Sequence, residues 1–224
     1  SGKTPLVGAL ARALAAEGVR VAVVGHGHRA HRGRVREVSA SDDPLEVGDE
    51  ALLLARALGE GVPVVIAGRR VEALARAAER ADLVLVDGPL ALRPRAAASV
   101  LAVDARDPWG SGRVAPAGDL RAPPSALLDV ADHVVAVAAP GDALHPDLEA
   151  LGGRATVARW SEPELVIDGR VVPTTTLEGE RVGLATALAR PARVARLAIR
   201  AGVAPIVQVR APDHGPRADG ALAG

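Results

Sequence analysis

The sequence comprises 224 residues, in which 27 basic and 27 acidic side chains cancel, so we expect no nucleic-acid partner and only local binding of any anionic ligand. The absence of cysteine excludes disulfides, thiolate catalysis and cysteine-ligated zinc. No apolar run reaches the roughly 18 residues that a bilayer-spanning helix requires, so the chain reads as a soluble protein.

Short aliphatic runs alternate with helical segments through the first 150 residues. Leu6, Leu10 and Leu14 lie at helical spacing and predict a helix that ends at Gly18. Strands are predicted at Val19–Val24, Val62–Ala67, Leu83–Val86, Val100–Val103 and Val134–Ala138, and further helices at Glu46–Leu58, Arg70–Arg80 and Ser125–Val130. This alternation predicts an α/β fold with a mostly parallel sheet, helices on both faces, and ligands beyond the carboxyl ends of the strands.

The pattern changes near Leu151. Apolar residues alternate through Leu165–Val172 around Asp168-Gly169, which predicts a β-hairpin. A strand, a helix and a strand follow at Arg181–Thr186, Pro191–Ala201 and Val203–Val209. We therefore predict a larger lobe over residues 1–150, and a hairpin linker with a smaller C-terminal α/β lobe over residues 151–224. The tail from Ala211 onward is expected to be disordered.

The chain opens with Ser1-Gly2-Lys3-Thr4, the final part of a phosphate-binding loop of the form G-x-x-x-x-G-K-S/T. In a complete loop, backbone amides and a helix N-terminus hold phosphate oxygens, the lysine reaches the outer phosphates, and the threonine hydroxyl ligates magnesium. The predicted helix and strand that follow favour this interpretation over a helix cap with a solvated lysine. We expect further sequence to precede Ser1.

Asp87 follows the strand Leu83–Val86 at the point where a P-loop enzyme places a carboxylate ligand of its metal ion. Together with Thr4 it predicts a magnesium site, because magnesium prefers oxygen ligands. An ordinary turn residue is the alternative. Asp104, at the end of the next strand, is a weaker candidate of the same kind.

Candidate proton acceptors lie in two distant segments. Asp49 and Glu50 precede an aliphatic helix, where negative charge is favoured and capping alone could explain them. A kinase needs a carboxylate, or a histidine oriented by one, to accept the proton of the attacking hydroxyl, and His214 is available near the end of the chain. His26, His28 and His31 are interpreted as part of a basic loop that meets an anionic substrate, in preference to a metal cluster.

Several segments, in order, resemble the tetraacyldisaccharide 4'-kinases, which phosphorylate a precursor of lipid A. Gly2–Pro5 resembles the phosphate loop of that family, and Val47–Ala55 resembles its V-G-D-E-P-x-L-L-A segment. Gly110–Pro123 is similar to the signature G-N-G-x-L-x-P-A-G-P-L-R-E-P. Ala189–Pro191 and Pro212–His214 resemble two C-terminal landmarks.

The resemblance implies a two-lobed fold that uses ATP and Mg²⁺ to phosphorylate the 4'-hydroxyl of a tetraacyldisaccharide 1-phosphate. It implies a glycolipid substrate, contact with a membrane surface, and a peripheral location at the cytoplasmic face of the bacterial inner membrane. By position, it assigns nucleotide binding to Lys3 and Thr4, metal binding to Thr4 and Asp87, catalysis to Asp49 and His214, and a place in the substrate and nucleotide cleft to Arg121. We also expect Ser1 and Gly2 to bind the nucleotide, and Glu50 and His28 to bind the substrate.

The chain departs from the family pattern at several positions. Val86-Asp87-Gly88 stands where the family has paired aspartates before the glycine, Ser111 replaces an asparagine, and Asp119 replaces a proline. The chain also stops before the Thr-Glu-Lys-Asp segment of the family. Two alternatives therefore stay open, a catalytically inactive relative that binds nucleotide or glycolipid, and another P-loop protein that depends on a nucleoside triphosphate.

Overall fold

The computed structural model describes residues 2–25, 35–88, 95–161, 164–186, 191–204 and 207–210. The predicted tail from Ala211 lies outside them. In chain order the described helices and strands are α1 (Lys3–Ala16), β1 (Val21–Val24), β2 (Arg36–Glu37), α2 (Pro44–Val47), α3 (Asp49–Leu58), β3 (Val64–Ile66), α4 (Arg70–Ala78), β4 (Leu83–Val86), β5 (Val100–Asp104), α5 (Pro124–Val130), β6 (His133–Ala138), α6 (Pro146–Glu149), β7 (Ala155–Arg159), β8 (Leu165–Ile167), β9 (Arg170–Val172), β10 (Gly183–Thr186), α7 (Pro191–Arg200) and β11 (Val207–Arg210).

Four strands form a sheet in the order β2-β3-β1-β4. The central strand β1 runs parallel to both neighbours, with Val24 opposite Val65 and Val86. The edge strand β2 is antiparallel to β3. A second group has the order β5-β6-β7, in which β5 and β6 are parallel. The prediction of a mostly parallel α/β fold is confirmed.

Helices cover both faces of the four-stranded sheet. Successive side chains of a strand point to opposite faces, and β1 is buried along its whole length. Val21 and Val23 belong to a core that includes residues of α1 and α3, such as Ala11 and Leu54. Ala22 belongs to a second core with residues of α4. A strand that is buried on both faces has a continuous run of aliphatic residues, which is why β1 could be predicted from the sequence.

The helix predicted over Glu46–Leu58 is interrupted at Gly48. This residue has φ 86° and ψ 143°, a conformation open to glycine, so it ends α2 and precedes the first turn of α3. The Asp43 side chain accepts a hydrogen bond from the backbone N–H of Leu45 and caps α2. The prediction of one continuous helix was therefore wrong at Gly48. As a consequence, Asp49 and Glu50 lie in the first turn of a helix.

The chain divides into two compact units, one formed by Ser1–Val137 with Ala143–Ala158 and the other by Ala138–Asp142 with Arg159–Gly224. In the second unit β8 and β9 form the predicted antiparallel hairpin. Asp168 and Gly169 have φ values of 49° and 76°, as a two-residue type I′ turn requires. In the same unit β10 and β11 are parallel. No helix within the described ranges is long and apolar enough to cross a membrane.

Neighbouring leucines of α3 allow a test of the first core. Leu54 is 2% exposed, whereas Leu53 is 57% exposed. We expect Leu54→Ala to reduce the free energy of unfolding by about 2–4 kcal/mol because it leaves a cavity. Leu53→Ala should change it by less than about 0.5 kcal/mol. Urea denaturation followed by circular dichroism measures both, and equal losses would contradict this assignment of the core.

Candidate active site

A buried pair joins the start of α1 to the end of β4. Thr4 is 7% exposed and Asp87 is 3% exposed, and the Thr4 hydroxyl donates a hydrogen bond to Asp87 Oδ2 at 2.8 Å. The backbone N–H of Asp87 donates to the carbonyl oxygen of Val24 at 3.0 Å, so β1 fixes the residue. Asp87 Oδ1 is buried and, within the described part of the chain, has no hydrogen-bond partner. A buried carboxylate oxygen without a partner is costly, and a bound cation would satisfy it.

The N-terminus of α1 is built to accept an anion. Gly2 has φ 74° and ψ 22°, and a Cβ atom there would lie 3.1 Å from Val137 Cγ1, so both conformation and space favour glycine. The first turn of α1 contains no acidic side chain and carries Lys3, which is exposed. The amide groups and the dipole of a helix N-terminus attract negative charge. The backbone at the start of α1 and Lys3 therefore suit an anion, beside the buried Thr4–Asp87 pair.

Arg70, at the start of α4, is a site residue that our sequence analysis missed. Its guanidinium donates hydrogen bonds to the carbonyl oxygens of Gly88 at 2.5 Å and Asp87 at 3.0 Å. Burial lowers the pKa of Arg70; the charge of Asp87 opposes this shift and that of Arg121 adds to it. A Cβ atom placed on Gly88 would lie 3.9 Å from both Lys3 Cε and Arg70 Nη2. Lys3 and Arg70 thus flank the turn after β4, and Arg121 lies within electrostatic range of Arg70.

A signal for Arg70 was present in the sequence. It is the first residue of the predicted helix Arg70–Arg80, and a cation is unfavourable at a helix N-terminus. The chain contains many exposed arginines, so Arg70 could not be distinguished from them in the sequence. A cation that occupies such a place, half-buried, needs compensation from the tertiary structure, which here comes from two carbonyl groups and a carboxylate.

Asp49 and Glu50 lie at the same edge of the sheet. A Cβ atom on Gly25, directly after β1, would lie 3.2 Å from Ala51 Cβ, so the first turn of α3 packs against the carboxyl end of β1. Asp49 is exposed, and its Oδ1 accepts a hydrogen bond from the backbone N–H of Glu50 at 2.9 Å. This bond fits the capping interpretation. The position at the carboxyl edge is the one that the catalytic interpretation requires.

The segment before Arg121 folds back on itself. Ser111 donates to Asp119 Oδ1 through its hydroxyl at 2.6 Å and its backbone N–H at 3.1 Å. A parallel bridge pairs Val114 with Leu120, and a Cβ atom on Gly118 would lie 2.3 Å from the Arg113 carbonyl oxygen, so only glycine fits. Ser111 and Asp119, two of the departures from the family pattern, are therefore in contact. Their bonds close the loop that leads to Arg121.

We expect Asp119→Ala to loosen this loop. Loss of the acceptor for Ser111 should raise the equilibrium constant for local opening of the loop by roughly tenfold, equivalent to about 1.4 kcal/mol. Asp119→Asn keeps the Oδ1 acceptor, so the amide hydrogens of its loop should exchange at the wild-type rate. Hydrogen exchange of peptides covering residues 110–121, read by mass spectrometry, measures the effect. Asp82→Ala removes an exposed carboxylate that pairs with Arg20, and serves as the control. Unchanged exchange in Asp119→Ala would show that other contacts hold the loop.

The structure brings only part of the predicted site together. Gly2, Lys3, Thr4 and Asp87 lie together, Arg121 acts electrostatically on the neighbouring Arg70, and Asp49 and Glu50 lie at the same sheet edge. Asp104 accepts a hydrogen bond from the backbone N–H of Arg106 at 3.0 Å, as a turn residue does. The predicted residues that fall outside the described part of the chain are Ser1, His26, His28, His31 and His214.

The family of this chain is shown by its similarity to known proteins. The sequence profile of the family described as tetraacyldisaccharide-1-P 4'-kinase matches residues 1–223. The chain belongs to the tetraacyldisaccharide 4'-kinase family. The resemblance identified from its sequence segments is thereby confirmed.

Named members of the family are similar along nearly the whole chain. The tetraacyldisaccharide 4'-kinase of Anaeromyxobacter dehalogenans strain 2CP-C is 38% identical over 96% of this chain and 60% of its own length. The corresponding kinase of Verminephrobacter eiseniae is 35% identical over 96% of this chain and 49% of its own length. The chain thus spans about half to three-fifths of the length of these two relatives.

A solved structure shows the same fold. The crystal structure described as the "apo" form of LpxK from Aquifex aeolicus in complex with ATP superposes with a TM-score of 0.68. It is 22% identical to this chain, and the similarity covers 96% of this chain and 68% of the crystallised one.

Proposed function

We propose that this chain forms the catalytic part of a tetraacyldisaccharide 4'-kinase, which transfers the γ-phosphoryl group of ATP to the 4'-hydroxyl of a tetraacyldisaccharide 1-phosphate. The observation that carries the proposal is the buried Thr4–Asp87 hydrogen bond beside Lys3. Family membership supports the same reaction, because the relatives are named for it. ATP, bound in the Aquifex relative, is the proposed phosphoryl donor.

In this proposal the first turn of α1 holds the phosphates of ATP. Ser1 and Gly2 offer backbone amides and Lys3 offers its ammonium group. The Thr4 hydroxyl and Asp87 Oδ1 would hold Mg²⁺, a role that suits a buried carboxylate oxygen for which the described ranges offer no hydrogen-bond donor. When bound, Mg²⁺ neutralises charge on the phosphate oxygens. Arg121, whose charge contributes to lowering the pKa of Arg70, is proposed to act on the same charge.

Proton transfer is assigned to Asp49 and His214. The 4'-hydroxyl oxygen forms the new bond to the γ-phosphorus while the bond from that phosphorus to the ADP oxygen breaks. The hydroxyl proton passes to His214, which Asp49 orients. Glu50 and His28 are proposed to contact the substrate together with Arg121. Most of the acceleration would come from positioning and from charge stabilisation at the phosphoryl group.

The two predicted lobes then have different tasks. Residues 1–150 would bind the nucleotide, and residues 151–224 would supply the hairpin linker and a smaller lobe. The acyl chains of the substrate are buried in a bilayer, so the enzyme would meet its substrate at a membrane surface. We propose the cytoplasmic face of the bacterial inner membrane, where ATP is available, with peripheral attachment.

The test is transfer of radiolabelled γ-phosphate from ATP and Mg²⁺ to a tetraacyldisaccharide 1-phosphate in detergent micelles. It uses this chain within its natural flanking sequence, beside the His214→Ala variant. Transfer by the parent protein and a loss of roughly 10²–10⁴-fold in the variant are expected, as for removal of a general base. A folded protein that binds ATP without transferring phosphate would refute the kinase proposal and favour an inactive relative.

A further inference from the structure

The turn that carries Asp87 is fixed by backbone contacts on both sides of that residue. Its N–H donates to the carbonyl oxygen of Val24 at 3.0 Å. Its own carbonyl oxygen accepts from Arg70 Nη2 at 3.0 Å, and the next carbonyl, on Gly88, accepts from Arg70 Nη1 at 2.5 Å. Gly88 has φ 65°, so the chain turns sharply directly after the carboxylate. One planar guanidinium therefore spans both carbonyl groups of the turn.

Arg70 occupies this place against three unfavourable effects. It is partly removed from water, it is near the like charge of Arg121, and it lies at the positive end of α4. The preceding residue provides a contrast, because the side chain of Arg69 is 77% exposed and pairs with Glu72 at 3.6 Å. The two arginines have the same charge and adjacent positions, but only Arg70 contacts the turn after β4.

We propose that Arg70 is a positioning residue for Asp87: its fork onto the two carbonyl groups holds the turn so that Oδ2 meets Thr4 while Oδ1 stays open to a divalent cation. The inference rests on the proposed function in one respect, that the cation accompanies the nucleotide. It concerns the geometry of the carboxylate and not the charge of Arg70, because a nearby cation by itself would weaken metal binding.

Substitution by lysine separates geometry from charge. Arg70→Lys keeps the positive charge but replaces a rigid two-pronged donor with a single flexible ammonium group. Arg69→Lys makes the same chemical change one residue away and is the matched control. Gly88→Ala alters the turn from the other side, since an alanine at φ 65° is strained although a Cβ atom has room there.

The experiment measures Mn²⁺ binding in place of Mg²⁺, by electron paramagnetic resonance of free Mn²⁺, in the presence of a non-hydrolysable ATP analogue. We expect Arg70→Lys and Gly88→Ala to weaken Mn²⁺ binding by roughly tenfold, the range found for residues that orient metal ligands. Arg69→Lys should match the wild type. Affinity for the analogue in EDTA should stay within about twofold in Arg70→Lys, since the charge near the phosphates is kept.

The outcomes separate this inference from the proposed function. Wild-type Mn²⁺ affinity in both Arg70→Lys and Gly88→Ala would overturn the positioning role, whatever the activity. Equal weakening in Arg69→Lys would overturn it as well, because the effect would then be general. A wild-type protein that binds Mn²⁺ but transfers no phosphate would contradict the kinase proposal alone. A wild-type protein that binds no Mn²⁺ with the analogue would overturn both.

Discussion

Replacing Lys3 by alanine is expected to lower kcat/KM for phosphoryl transfer by roughly 10²–10³-fold, the range for removing one preorganised charge-stabilising donor. Lys3 is the first residue of α1 and precedes Thr4, and its Cε would lie 3.9 Å from a Cβ atom on Gly88, in the turn that Arg70 contacts. Negative charge moves from the γ-phosphoryl group onto the leaving ADP during the reaction, so a cation there acts most strongly in the transition state. Its loss should therefore appear in kcat.

The same substitution should leave stability almost unchanged. Lys3 is exposed, and a cation in the first turn of a helix is electrostatically unfavourable, so its removal should change the free energy of unfolding by less than about 0.5 kcal/mol. Arg12→Ala removes another exposed cation from α1 and should keep full activity. Steady-state kinetics with urea denaturation measures both quantities. An active Lys3→Ala variant would show that Ser1–Thr4 does not work as a phosphate loop.

Much of the sheet could be predicted from runs of apolar residues: β1 and β3 are buried along their whole length, and β4 is partly buried. β4 has the predicted bounds Leu83–Val86, and β1 begins two residues later than predicted but ends at the predicted residue. Such strands are short aliphatic runs closed by glycine, aspartate or proline, and this signal depends on local sequence alone. The hairpin at Asp168-Gly169 was predictable for a similar reason, since the turn itself selects its residues.

Elements without a local signal were missed. The edge strand β2 comprises Arg36–Glu37, both exposed, and forms only because β3 offers a free edge. β7 is only partly buried and has no continuous aliphatic run. Gly48 interrupts a segment whose apolar spacing is otherwise helical, and that spacing does not report backbone conformation. Each omission involves tertiary context that a pattern along the chain does not contain.

The candidate site also contains residues that the sequence predicted and residues that it did not. Lys3, Thr4 and Asp87 follow from a motif and from the end of a predicted strand, so their meeting could be expected from topology. Arg70 contacts residues 17 and 18 positions away through backbone carbonyl groups, which carry no side-chain signature. The Ser111–Asp119 bond likewise depends on how one loop closes. Contacts that depend on tertiary structure alone are the ones that a sequence pattern predicts least.

Replacing Asp87 by asparagine is expected to lower kcat/KM by at least roughly 10²-fold, because the neutral amide loses the charge that would bind Mg²⁺. The substitution keeps the volume of the side chain and an oxygen that accepts from Thr4, so packing is conserved. Steady-state kinetics over a range of Mg²⁺ concentrations is the measurement. Activity recovered at wild-type Mg²⁺ concentrations would show that another residue holds the cation.

Although Asp87→Asn should lose activity, its stability in the absence of metal should not fall. Asp87 is 3% exposed, and one of its oxygens has no hydrogen-bond partner among the residues that the structure describes, so neutralising it removes a buried charge. Arg70 loses a favourable neighbour at the same time, but it is only half-buried and water screens part of that loss. We expect the free energy of unfolding in EDTA to stay equal or to rise by up to about 1 kcal/mol.

With ligand bound, the wild type should be more stable than Asp87→Asn. A ligand at 100 times its dissociation constant stabilises the folded protein by about 2.7 kcal/mol, and Asp87→Asn should gain less from Mg²⁺ with a non-hydrolysable ATP analogue than the wild type does. Urea denaturation in EDTA, and then with both ligands, gives the two comparisons. A variant that is less stable than the wild type by more than about 1 kcal/mol in EDTA would identify Asp87 as a structural residue. If Asp87→Asn is at least as stable as the wild type in EDTA but less stable with both ligands, the carboxylate is kept for ligand binding at a cost to the stability of the ligand-free protein.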